Sequence, residues 1–111
     1  MNKGARTIIY PVRDLKRAKA SFSKFLGLEP YVDSTYYVGF KVGDLDIGLD
    51  PNGHKSGMTA YYHVDDIVAS KQSFLDSGAE IIQDIREVGE GRRVASLKDV
   101  EGNIIGLIQD S

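Results

Sequence analysis

The chain has 111 residues, 41% hydrophobic and 27% charged, the balance of an ordinary soluble protein long enough to bury a core. Its 14 basic and 16 acidic residues leave a net charge of −2, without the basic surplus of a nucleic-acid binder. Cysteine is absent, which excludes disulfides, thiolate metal sites and a cysteine nucleophile, and no apolar run is long enough to span a membrane.

The N-terminal stretch MNKGARTII has one basic patch and no long apolar run, so no signal peptide is expected and the cytoplasm is the expected compartment. Residues 6–12 are β-branched and aromatic and predict a strand, ended by Pro11, which has no N–H to donate. Asp14 is a good N-cap. After it, Leu15, Ala18, Phe22, Phe25 and Leu26 form an apolar helical stripe, stopped by Gly27. Strands are predicted near 29–33, 35–42 and 45–50, with the turn glycine Gly43 between the last two.

Asp50 to Gly57 is rich in turn residues and reads as a joint, with His54 exposed to solvent. Beyond it the pattern starts again. Thr7, Tyr10, Val12 and Asp14 match Thr59, Tyr62, Val64 and Asp66 at a constant offset of 52, and the match extends to Lys19 with Lys71 and Phe22 with Phe74. Residues 58–64 predict a strand, Asp66 an N-cap, and Ile67, Phe74 and Leu75 a helical stripe stopped by Gly78. Strands follow near 79–86, 92–98 and 103–109, with Gly102 in the last turn. The fold class is α+β: tandem βαβββ modules, 1–52 and 57–111, forming a curved mixed sheet with a concave cavity within one domain.

Ile-Gly-Leu occurs in each module, at Ile47 to Leu49 and at Ile105 to Leu107, in a strand-like run. Glycine inside a strand costs backbone entropy and packs nothing. Two readings are open. The glycines either allow close packing between strands, or they leave a concave space for an organic molecule. In the second case Gly106→Leu and Gly48→Leu are expected to cost little stability.

VRDLKRAKASFSKFLGLEP and DVEGNIIGL resemble the strand-to-helix stretch and the last hairpin of the vicinal oxygen chelate superfamily, which includes glyoxalases, extradiol dioxygenases and bleomycin-resistance proteins. With the repeat, the resemblance covers essentially the whole chain. It implies a divalent metal held by side chains of the first and last strands of each module. The matching positions are Thr7, Gly48, Thr59 and Gly106, none of which offers the carboxylate or imidazole such a metal needs. No metal and no other cofactor is therefore expected. The resemblance also implies a homodimer.

If Thr7 and Thr59 face the cavity, alternation puts Ile9, Pro11, Tyr61 and His63 there too, and turns Ile8, Tyr10, Val12, Ala60, Tyr62 and Val64 to the helices. Such a wall suits a planar or partly aromatic ligand, although most strand tyrosines are core filling. A neutral His63 beside Asp65 and Asp66 has the chemistry of a general base. Asp46 and Asp50 share the face of Gly48 and read either as a cation site or as a solvated sheet end. One of Arg92 and Arg93 is expected to point into the cavity toward an anion. Tyr36 and Tyr37 divide between two faces, and Phe40 packs on a helix. The expected ligand-binding set is Thr7, Ile9, Gly48, Thr59, Tyr61, His63, Arg92 and Gly106. Three functions fit. One is a metal-free protein that encloses a small organic ligand. Another is a lyase or isomerase using unmatched metal ligands or His63. The third is a dimeric scaffold with a filled cup. Neither nucleic acid nor membrane is an expected partner.

Overall fold

Two aspartates decide where the helices begin. The side chain of Asp14 accepts a hydrogen bond from the Arg17 backbone N–H at 3.1 Å, and that of Asp66 accepts one from Ala69 at 3.0 Å. Each satisfies one of the amides that the first helical turn leaves without an intrahelical partner. The computed structural model describes residues 2–52 and 57–111; His54, expected at the surface of the joint, lies outside the described residues. The elements are β1 (Asn2–Pro11), α1 (Leu15–Leu26), β2 (Val32–Asp33), β3 (Val38–Val42), β4 (Leu45–Asp50), β5 (Thr59–Val64), α2 (Ile67–Asp76), β6 (Glu80–Gly89), β7 (Arg92–Lys98) and β8 (Ile104–Gln109). The fold is α+β, βαβββ twice, as the repeat predicts. None of the described helices is long and apolar enough to cross a membrane.

The chain divides into two compact units, Thr7–Met58 and Met1–Arg6 with Thr59–Ser111. β1 begins before the predicted residues 6–12, and its first half belongs with the second unit. There Lys3 Nζ lies 3.5 Å from Asp65 Oδ1.

In the unit Thr7–Met58 the strand order is β2-β3-β4-β1. The last half of β1 runs parallel to β4, from Thr7 opposite Asp46 to Pro11 opposite Asp50, and β3 and β4 are antiparallel. α1 covers one face. Val38, Phe40 and Leu49 are fully buried beneath it, packed by Tyr10, Val12, Leu15, Ala18, Phe22 and Leu26. Phe22 links two aromatic neighbours, with ring centroids 5.3 Å from Tyr10 and 6.5 Å from Phe40. Phe25, expected in the same stripe, is 83% exposed. Leu15, Ala18, Phe22 and Leu26 follow the three- and four-residue spacing of one face, and Phe25 sits about 100° away from Leu26. Gly27 closes the helix with φ of 69°, and its N–H donates to the Ser23 carbonyl. β2 is shorter than predicted. Ser34 organises a turn there, its hydroxyl oxygen accepting from the Tyr36 and Tyr37 amides at 3.1 Å each.

In the other unit the order is β5-β8-β7-β6, with β5 and β8 parallel and the remaining pairs antiparallel. α2 packs over Val64, Ile67, Ala95, Leu97 and Leu107, with Tyr62, Phe74, Leu75 and Ile85 around them. β6 closes the order, and all its residues but Ile85 are exposed, including Ile81, Ile82 and Val88. Three register shifts against β7 interrupt it. Such bulges twist an edge and spoil it as a template for a further strand.

Candidate functional site

Strand alternation sorts the predicted site residues onto the sheet face turned away from the helix in each unit. In Thr7–Met58, the core side chains Val38, Phe40, Ile47, Leu49 and Tyr10 point to α1. Their neighbours Gly39, Lys41, Asp46, Gly48, Thr7 and Ile9 therefore share the opposite face. Gly39 pairs with Gly48, and Gly48 with Ile9, in a row across three strands.

The Tyr37 side chain lies over this row. A Cβ built on Gly48 would stand 2.6 Å from Tyr37 Cζ and 2.7 Å from Ile9 Cδ1, and one on Gly39 3.2 Å from Tyr37 Cε2. The two glycines form a floor for a phenol ring. Beside it the Tyr31 hydroxyl donates to Asp46 Oδ1 at 2.8 Å, and Lys41 Nζ lies 3.2 Å from the same oxygen. Asp46 is thus committed to Tyr31 and Lys41. The exposed partner of Tyr37 is Tyr36, 75% accessible. On the helix side, an open groove of about 450 Å³ is lined by Leu15, Lys16, Lys19, Asp33, Ser34, Thr35 and Val38, and an ion pair between Lys19 and Asp33 spans it.

In the second unit the face turned from α2 carries Tyr61 opposite Gly106, with Ser96 beyond, and His63 opposite Ile108, with Val94 beyond. Here too a ring covers the glycine: a Cβ on Gly106 would fall 2.5 Å from Tyr61 Cγ and 2.6 Å from Cε1. Thr59 and His63 are buried, as is Thr7 in the first unit.

At the end of this face three side chains meet. His63 Nδ1 lies 3.1 Å from Asp110 Oδ2, and Arg92 Nε donates to Asp110 Oδ1 at 2.7 Å. The carboxylate beside His63 is therefore Asp110. Asp66, expected there, caps α2, and Asp65 faces Lys3. Partial burial pushes the Asp110 carboxyl up, but the hydrogen bond and charge of Arg92, joined by those of His63, outweigh it and hold the group below the ordinary carboxylate range. An open cavity of about 400 Å³ is lined by Val88, Gly89, Glu90, Arg92, Asp110 and Ser111. Of the two arginines, Arg92 shares the face of His63. Arg93 alternates to the side of Ala95 and Leu97, opposite Gln109, whose Oε1 accepts from the Ile67 amide at 2.8 Å.

Thr7, Ile9 and Gly48 thus lie in one unit, and Thr59, Tyr61, His63, Arg92 and Gly106 in the other. The expected binding set leaves out Tyr37 and Asp110. Alternation finds both: Tyr37 falls in step with Gly39, and Asp110 in step with Gly106 and Ile108 once the pattern is carried past the end of β8.

The four positions at which the resemblance implies a metal do not fit one. Glycine supplies no donor, threonine supplies a neutral hydroxyl, and tyrosine rings cover both glycines. Among the described residues no three His, Asp or Glu side chains gather as a metal-holding group.

No protein-family model matches the sequence, and no curated protein does. Solved structures do. The hypothetical protein BH1468 from Bacillus halodurans C-125 aligns with a TM-score of 0.79 at 17% identity, over 99% of this chain and 95% of that one. Methylmalonyl-CoA epimerase from Mycobacterium tuberculosis aligns at 0.77 and 18%, over 99% and 89%. A glyoxalase/bleomycin resistance protein/dioxygenase superfamily member from Vibrio splendidus 12B01 aligns at 0.70 and 16%, over the full length of both. The chain has the vicinal oxygen chelate fold. At these identities the likeness carries the fold and leaves the activity to the residues.

The tyrosine rings turn around the expectation for Gly106→Leu. The atoms that a Cβ at Gly106 meets include the root of the Tyr61 ring, which cannot move far without leaving its rotamer. Those at Gly48 are the far ends of Tyr37 and Ile9, which can swing aside. Gly106→Leu is expected to cost about 1–3 kcal/mol in urea unfolding, the usual range for overpacking. Gly48→Leu should cost less. Adding Tyr61→Ala to Gly106→Leu should recover part of the loss.

A second expectation follows from Asp110. Its carboxyl is more acidic folded than unfolded, so its contribution is complete above the ordinary aspartate value of 3.8 and is lost as pH falls through the lower folded value. The urea midpoint of Asp110→Asn should therefore fall less between about pH 5 and pH 3 than that of the parent protein.

Proposed function

We propose that this chain is a metal-free small-molecule binding protein of the glyoxalase/bleomycin-resistance type, whose ligand is a small aromatic or partly apolar compound. The observation that carries this reading is that the four positions where the resemblance implies metal donors hold two threonines and two glycines roofed with tyrosine. Tyr37 and Tyr61 are half-buried, so each ring is held against backbone while retaining accessible surface. A ring held in this way offers a large apolar face with one polar tip, at little entropic cost on binding. The residues proposed for binding are Thr7, Ile9 and Gly48 in one unit and Thr59, Tyr61, His63, Arg92 and Gly106 in the other. The working compartment is the cytoplasm.

The test is a thermal-shift screen of the purified protein against divalent metals and a panel of aromatic metabolites and antibiotics, with elemental analysis of protein prepared without chelator. Aromatic compounds should raise the midpoint and metals should not. About one transition metal per chain would refute the reading in favour of a metalloenzyme.

We also propose a homodimer. The support is the fold together with the large apolar side chains left at the surface, among them Phe25, Tyr36 and Val100. Light scattering at tens of micromolar should return twice the 12.2 kDa chain mass. A monomer mass with native circular dichroism would contradict it.

A further inference from the structure

We propose that the groove beside α1 in the unit Thr7–Met58 is a second binding site, for a small monocarboxylate with a short apolar chain. It lies on the helix side of the sheet, away from Gly48 and Tyr37, and is independent of the aromatic-ligand reading above. The groove, about 450 Å³, has an apolar floor made by Val38, 1% exposed, and by Leu15 in the first turn of α1. One wall carries Lys16 and Lys19, three residues apart and so neighbours on one flank of the helix. The other carries Asp33, Ser34 and Thr35, from the end of β2 and the turn after it. An apolar tail gains by covering the floor, and an anionic head by reaching the lysines. Lys16, Lys19 and Asp33 together leave one positive charge, which a monocarboxylate neutralises. Inorganic phosphate matches the cations but leaves the floor wet.

The repeat separates scaffold from site. Lys19 pairs with Asp33 across the groove, and its counterpart Lys71 pairs with Asp84 of β6 at 2.8 Å. An ion pair from helix to strand is thus common to the two units. Lys16 is not: Val68 stands at the matching place in α2. Among the described residues no carboxylate pairs with Lys16, so its ammonium is open to a ligand. At Lys19 a ligand's carboxylate competes with Asp33.

The test is a ¹H–¹⁵N chemical-shift titration with hexanoate and with its uncharged counterpart hexanamide, which reads both affinity and place. Hexanoate should shift the amides of Lys16, Lys19, Ser34 and Thr35 with a dissociation constant on the order of 1 mM, in keeping with so small a ligand in an open groove. Hexanamide should bind about fivefold more weakly, the upper range for one exposed ion pair. Lys16→Gln should lose about fivefold in hexanoate affinity. Lys24→Gln makes the same charge change in the last turn of α1 and should lose less than about twofold. Asp33→Asn removes the competitor and should bind hexanoate about threefold more tightly. Equal binding of the two probes, equal losses in the two lysine variants, or weaker binding by Asp33→Asn would each overturn the proposal. So would phosphate shifting the same amides as strongly. Shifts confined to the amides around Gly48, Tyr61 or Gly106 would overturn it in favour of the faces proposed for the aromatic ligand. No shift at about 20 mM hexanoate, well above the expected dissociation constant, would overturn it and leave the aromatic-ligand reading standing.

Discussion

The face turned from the helix in each unit depends on the absence of a single carbon atom. At Gly48 and Gly106 there is no Cβ, and a tyrosine ring lies within the radius that one would occupy. A strand pays for glycine in conformational entropy and lost packing. The packing is returned by a side chain from elsewhere in the same unit: Tyr37 from the turn before β3, and Tyr61 from the strand paired with β8. In the first unit a second glycine, Gly39, widens the floor, so the ring covers two strands. The ring's position is then set by backbone, which is the least adjustable part of the structure.

The same constraint marks where the sequence was legible. Caps, stripes and turns are local, and they were read with small error. Asp14 and Asp66 cap as expected, and Gly27 takes the left-handed conformation. Val38, Phe40 and Leu49 are buried under α1, whereas Phe25 leaves the stripe by the geometry of the turn. β2 shrank because Ser34 bonds the amides of the residues that follow, a local competition that strand propensity does not register.

The face assignments were legible too, because alternation is a property of any strand. What fills the space above a glycine was not. That a hole in one strand is filled by a ring is a pairing of residues far apart in sequence. Tyr61 and Gly106 are opposite each other only once the parallel register of β5 and β8 is known. Two of the positions at which the family resemblance implies a metal are, in register, a glycine lying under a tyrosine ring, one in each unit. Likewise, no short-range pattern joins His63 to Asp110. The nearer carboxylates at Asp65 and Asp66 attract the eye, yet one is drawn to Lys3 and the other to the helix amides.

The repeat also shows how two copies of one design acquire different chemistry. Each unit holds a carboxylate on the face turned from the helix, bonded to one aromatic polar group and one cation. In the first it is Asp46, held by Tyr31 and Lys41; in the second it is Asp110, held by His63 and Arg92. The two carboxylates sit at opposite ends of equivalent strands, two residues before Gly48 and four after Gly106. The partners differ in consequence. Tyrosine meets Asp46 as a donor, through its hydroxyl. Histidine meets its carboxylate through Nδ1, one of two ring nitrogens, where tyrosine has a single hydroxyl. Arginine, charged at every accessible pH and planar, holds the carboxylate in one orientation more firmly than a flexible lysine does. The two copies thus hold a carboxylate on the same face with different partners, at different ends of the strand.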